Sequence, residues 1–153
     1  MPGGGAYNIG AGQIRNCELQ MCLLWGLVAR NMNFDKDRVL DLKSTMEFYK
    51  RWMQSEPPQC LGFPDHIVRA FKPTTFTANA TVDSVIQASK KINRRLTSAE
   101  SLLRLFPLAI WTSTVKNPYQ VKKAIAAEAS FVHQNKLVHS AIFIYFMALQ
   151  CLL

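Results

Sequence analysis

Few residues in this chain have the type and spacing that chemistry needs. His133 and His139 are six apart, roughly 600° around a helix, so they fall on opposite faces and make a poor joint metal site. Glu128 and His133 flank an expected helix end, where a loop histidine is ordinarily solvated. Cys17 sits near a helix start, which could lower its thiol pKa, although a small buried apolar thiol is the more ordinary reading. Trp25, Trp52 and Trp111 read as core residues rather than a base-stacking platform. The four cysteines (Cys17, Cys22, Cys60 and Cys151) contain no Cys-x-x-Cys pair and join no histidine in a zinc-finger pattern. No P-loop, dinucleotide fingerprint, His-Glu-x-x-His or nucleophile elbow occurs.

The elements that must position these residues are helical. Residues 1–12 hold five of the seven glycines and read as a flexible terminus, leaving 13–153 as one domain. Helical periodicity runs from Gln13 to about Asn31, with Leu19, Cys22, Leu23, Trp25, Gly26 and Leu27 as its apolar set. A second helix is expected from Asp35 to Gln54, acidic at its start and basic at its end, facing the core with Val39, Leu42, Met46, Tyr49 and Met53. After Pro57 and Pro58 come a short helix over 64–71 and another over 82–93, the latter facing inward with Val82, Val85, Ile86 and Ile92. Ser98 can cap a helix over 99–113 that Pro107 should kink, and Asn117 with Pro118 starts one reaching about Val132. The last helix, from about Lys136, is apolar nearly all round. No stretch alternates with period two, so the fold class is all-α: a single-domain orthogonal helical bundle of about seven helices.

Hydrophobic residues at 49% and charged residues at 18% describe a globular domain and exclude a disordered tail or a disulfide-dense miniprotein. The net charge of +8 is uneven: residues 1–84 carry nine Lys/Arg against eight Asp/Glu, and residues 85–153 nine against two. That excess could serve an anionic partner, though scattered lysines and arginines are first of all a solvated face. A nucleic-acid reading would use Lys90, Lys91, Arg94, Arg95, Lys122 and Lys123, but no helix-turn-helix signature or aromatic platform accompanies them. The first residues show no basic stretch followed by an apolar one, so no secretory signal is expected, and the apolar run from Ala141 to Leu153 is thirteen residues, short of the roughly 20 that a bilayer requires. The expectation is an intracellular, reducing compartment, the cytoplasm first, with a protein partner covering the apolar last helix.

Three stretches, in order, resemble the ADP-ribosylglycohydrolase family. Ile14-Arg15-Asn16-Cys17-Glu18-Leu19 is similar to the family's Thr-Asp-Asp-x-Glu-Leu at a loop-to-helix junction. Ser101-Leu102-Leu103-Arg104, followed by Pro107-Leu108-Ala109-Ile110, resembles its Gly-Ser-Leu-Met-Arg-x-x-Pro-Leu-Ala-Ile segment. Glu128-Ala129-Ser130-Phe131-Val132-His133-Gln134-Asn135 resembles Asp-Ala-x-Leu-Thr-His-Pro-Asn. Between the first two, Tyr49 and Trp52 stand where members carry a Tyr-x-x-Trp pair. The likeness runs from about Gly12 to Leu153 and spans the first part of a longer domain, so residues 13–153 would be an incomplete unit.

The resemblance implies a hydrolase fold that removes ADP-ribose from modified protein with two Mg²⁺ ions. It implies Glu18, Glu128 and His133 as catalytic candidates, Ser101, Arg104 and Asn135 as ligand contacts, and Asn16 with Glu18 as a vestigial metal site. Two departures argue against a working site, one in its metal ligands and one in its phosphate cradle. Arg15 stands where an acid ligand belongs, and like charges at ~4 Å repel by about 4 kcal/mol at an effective dielectric of 20. Ser98-Ala99-Glu100 replaces a glycine turn, adding a negative charge where a phosphate would lie. The family's Gly-Asp-Ala-x-Gly and Asp-x-Asp stretches have no counterpart in this sequence. The expected reading is a degenerate member with no cofactor, acting as a structural or interaction module. An active magnesium-dependent hydrolase, completed by further chain, is the alternative.

Overall fold

A computed structural model describes residues 17–31, 40–54 and 79–152. Among the described residues the α-helices are α1 (Cys17–Asn31), α2 (Leu42–Met53), α3 (Val82–Ile92), α4 (Glu100–Arg104), α5 (Phe106–Trp111), α6 (Pro118–Ala129) and α7 (Lys136–Gln150). A 3₁₀ turn, Thr112–Thr114, follows α5, and no strand occurs among the described residues. The all-α single-domain bundle is therefore as the periodicity indicates. The Gly-rich start, Asn16 and the expected helix over 64–71 lie outside the described residues.

Caps set most of the boundaries. Asp41 is extended, and its carboxylate takes the Lys43 amide at 3.2 Å and the Ser44 hydroxyl at 2.7 Å. The helix over residues 42–53 thus starts after this cap, correcting the expected start at Asp35. Thr81 and Ser84 exchange side-chain bonds to each other's amides, a capping box that opens α3. Asn117 Oδ1 accepts from the Tyr119 amide and opens α6 with Pro118 in its first turn. Asn135 does the same for the Leu137 amide in α7.

Pro107 divides the expected 99–113 helix, and the break falls at Leu105 rather than at the proline itself. Without an N–H, Pro107 gives the Leu103 carbonyl no helical donor. Gln20 Nε2 donates to that carbonyl at 2.8 Å instead, tying α1 to the break. Ser98 does not cap this region: the residue before α4 is Ala99, which makes no side-chain cap bond.

Two apolar clusters fill the interior. Leu19, Met46, Tyr49, Trp52, Val85, Phe131 and Val132 form the first. Leu23 and Leu27 of α1 meet Leu105 and Leu108, helices α6 and α7, and the buried stripe Val138, Ile142 and Phe146 in the second. Trp25 departs from the expected core set and is 53% exposed. It lies two residues beyond buried Leu23, about 200° around the helix, so both cannot face inward. Ile92 is likewise exposed, and Trp111 is half-buried. Where α1 crosses α2, Gly26 lies against Thr45 so closely that an added Cβ would fall 2.8 Å from the Thr45 Cα.

Candidate functional site

The core of the bundle contains a run of polar side chains. Helix α2 supplies Tyr49, α4 supplies Ser101 and Arg104, α6 supplies Glu128, and the α6–α7 turn supplies His133. All five are buried. Ser101 and Arg104 are three residues apart on α4 and so share a face. Helix α6 ends at Ala129, earlier than the expected Val132, and the following turn carries His133 inward.

Glu128 holds the centre. Its Oε1 accepts from the Tyr49 hydroxyl at 2.6 Å, and its Oε2 receives Arg104 Nη2 at 2.8 Å as an ion pair. Arg104 Nη2 also reaches Ser101 Oγ at 3.3 Å, and its guanidinium carbon lies 5.9 Å from the Tyr49 ring centroid. Ser101 Oγ is 2.6 Å from His133 Nδ1, while Ser98 Oγ is 2.9 Å from Nε2. Each imidazole nitrogen therefore faces a hydroxyl that can donate or accept, which satisfies the ring in either tautomer. His139 Nε2 bonds the His133 carbonyl at 2.9 Å, so the two histidines meet without converging as ligands.

The expected solvated loop histidine is thus corrected: His133 is fully buried between two serines. Four residues that the sequence singles out, Ser101, Arg104, Glu128 and His133, come together in one network. Glu18 stands apart from it, half-buried, and its Oε2 accepts from Trp52 Nε1 at 2.8 Å. Tyr49 and Trp52, three apart on α2, thereby each engage one acid. Asn135 is occupied as the α7 cap. Ser98, which the sequence marks only as a cap, and Ser89, whose hydroxyl donates to the Val132 carbonyl at 3.1 Å, take roles that no sequence pattern gives them. Their partners lie 35 and 43 residues away.

Burial sets the electrostatics. Desolvation raises Tyr49 well above the ordinary phenol, and the adjoining Glu128 carboxylate pushes further the same way against an opposing pull from Arg104. Burial, the largest single influence, works against the positive charge of Arg104, but Glu128 together with Tyr49 and Glu100 more than offsets it and keeps the guanidinium protonated. Arg104 Nε and Nη1 find no hydrogen-bond partner among the described residues, so Glu128 carries most of that charge's compensation. The arrangement is a buried ion pair with hydroxyl neighbours, which locks helices together. Its ionisable members are buried, and Ser98 is its partly exposed hydroxyl.

Cys22 is pushed up to about 12, first by burial and then by Glu18. Both upward shifts have one sign for stability. Each contribution is complete below the unfolded-state pKa and disappears as pH rises through the folded one. The urea midpoint is expected to fall as pH rises from about 9 to 11, with Cys22→Ala and Tyr49→Phe each flattening the decline. Peptide mapping after alkylation near neutral pH should also find Cys22 labelled at least about tenfold more slowly than the exposed Cys17 and Cys151. Cys17 is exposed, correcting the buried-thiol expectation.

Two Mg²⁺ ions fit this donor set poorly. Hard cations need several anionic oxygens, and among the described residues no three His, Cys, Asp or Glu side chains converge. Glu18 already accepts from an indole, and Glu128 is committed to Tyr49 and Arg104. No helix among the described residues is long and apolar enough to cross a membrane. Comparison of the chain with known families, curated proteins and solved structures finds no match.

Proposed function

We propose that this chain is a degenerate ADP-ribosylglycohydrolase-like module whose helical scaffold serves a structural or interaction role in an assembly. One observation carries the reading. The residues that the resemblance nominates for chemistry, Ser101, Arg104, Glu128 and His133, are instead bonded to one another or to Tyr49 and Ser98 within the core. A general acid or base must reach the proton it transfers, and buried groups engaged in this way cannot. Arg15, in a position where the resemblance calls for an acid, supports the loss of the dinuclear site.

The outer face of α7 and the turn after it support the interaction half of the reading. Leu137, Ile144 and Leu152 are each more than two-thirds exposed, a surface that a protein partner would cover. Free thiols at Cys17, Cys22 and Cys151 are in keeping with a reducing compartment such as the cytoplasm. An assay for ADP-ribose release from ADP-ribosylarginine protein, across a range of Mg²⁺ concentrations, tests the reading. No turnover is expected. Magnesium-dependent release that disappears in Glu18→Gln would establish the active-hydrolase alternative instead.

A further inference from the structure

From Ser101 to Leu153 the sole acid is Glu128, and it is buried against Arg104. The exposed cations on that stretch therefore have no acid beside them in sequence. Two groups of cations on the bundle surface differ in how local structure treats them. Lys90 and Lys91 occupy the last turn of α3, with Arg94 and Arg95 just beyond, at the end where the helix dipole stabilises positive charge. Local stability accounts for that group. Lys116, Lys122 and Lys123 instead surround the start of α6, whose first turn has no acid. Lys116 lies just before the positive end of that helix, where a cation is disfavoured, and Lys122 and Lys123 add two charges on its second turn. No ion pair among the described residues relieves them; Lys122 Nζ lies only over the Phe143 ring of α7, 5.8 Å from its centroid.

An aromatic ring accompanies this second group. Tyr119 precedes Lys122 and Lys123 by three and four residues, which places all three on one helical face. It is 72% exposed, turned outward because Val121, two residues on, takes the buried side of the helix. This is the aromatic surface that the sequence pattern does not reveal.

We propose that Lys116, Tyr119, Lys122 and Lys123 form a docking surface for single-stranded nucleic acid. The ring stacks on an unpaired base while the lysines neutralise neighbouring phosphates. A duplex would hide the base face from Tyr119, and an anionic lipid surface would make no use of a ring's stacking face. The surface lies apart from the buried network, so it stands or falls independently of the proposed ancestry.

Fluorescence anisotropy of the full chain with a labelled oligothymidylate of about 15 nucleotides tests it. Binding is expected with Kd on the order of 10⁻⁶–10⁻⁴ M. Three phosphate contacts on a single strand give a log–log salt slope of about −2. Tyr119→Ala should weaken binding roughly tenfold, since stacking on one base is worth about that much or more. Lys122→Glu with Lys123→Glu should abolish it, while Lys90→Glu with Lys91→Glu should change it by about twofold or less. All these positions are exposed, so the variants are expected to keep the helical circular dichroism spectrum of the parent chain. Absence of binding, indifference to Tyr119→Ala or an equal loss in the α3 variant would overturn the proposal. Preference for duplex, or uptake by phosphatidylserine vesicles in place of the oligonucleotide, would overturn it as well.

Discussion

Glu128→Gln is expected to lower the unfolding free energy by about 3–5 kcal/mol, read as a fall in urea midpoint at constant slope. Glutamine keeps an oxygen for the Tyr49 hydroxyl, so what is lost is the charge facing Arg104. Arg104 is 2% exposed and Glu128 is its ion-pair partner, so the substitution would leave its charge in the core with only the weaker pull of Glu100. Removing one partner of a buried pair costs more than the pair contributes, because the survivor keeps its desolvation penalty. The companion double variant, Glu128→Gln with Arg104→Met, should therefore recover part of the loss, with a coupling of about 2–3 kcal/mol in a double-mutant cycle. Additive losses would mean that the two side chains do not depend on each other. Since neither substitution touches a solvent-facing group, the effect belongs to folding.

Gly26→Ala is expected to destabilise by about 1–3 kcal/mol, the cost of overpacking a tight core position. On an exposed helix the same change would stabilise by about 1 kcal/mol, so the sign itself is diagnostic. The added Cβ would lie 2.7 Å from Thr45 Oγ1 and 2.8 Å from its Cα. A hydroxyl could be trimmed, but the backbone of α2 cannot move without disturbing Tyr49 and Trp52 one and two turns further along. Adding Thr45→Ala should consequently fail to restore stability. A more stable Gly26→Ala protein would show that α1 and α2 do not cross there.

Helix type and most helix starts are legible in the sequence because they rest on local chemistry. Asn117 before Pro118 and the helical spacing of Val82, Val85 and Ile86 in α3 act within a few residues of themselves. The exceptions have longer reach. Ser98 is a plausible cap by its neighbours, yet its hydroxyl bonds an imidazole 35 residues away. Asp41 rather than Asp35 opens α2, a choice between two similar signals that only the fold resolves. The break at Leu105 is foreshadowed by Pro107, but not the remedy from Gln20, 83 residues distant.

The polar network shows the same division. Types and order nominate Ser101, Arg104, Glu128 and His133, while their mutual bonding depends on how α4, α6 and the α6–α7 turn pack. Periodicity assigns Tyr49 to the core, and nothing in its neighbours says that its hydroxyl meets an acid 79 residues away. Trp25 and Tyr119 are exposed although both are large aromatic residues, because burial follows helix rotation rather than residue type.

Isothermal titration of ADP-ribose into the chain in the presence of Mg²⁺ tests the central claim most directly. With Glu128 and Arg104 neutralising each other in the core and Glu18 bound to an indole, no saturable heat is expected. Saturable binding that requires both ligands, and that vanishes in Glu18→Gln, would contradict the account.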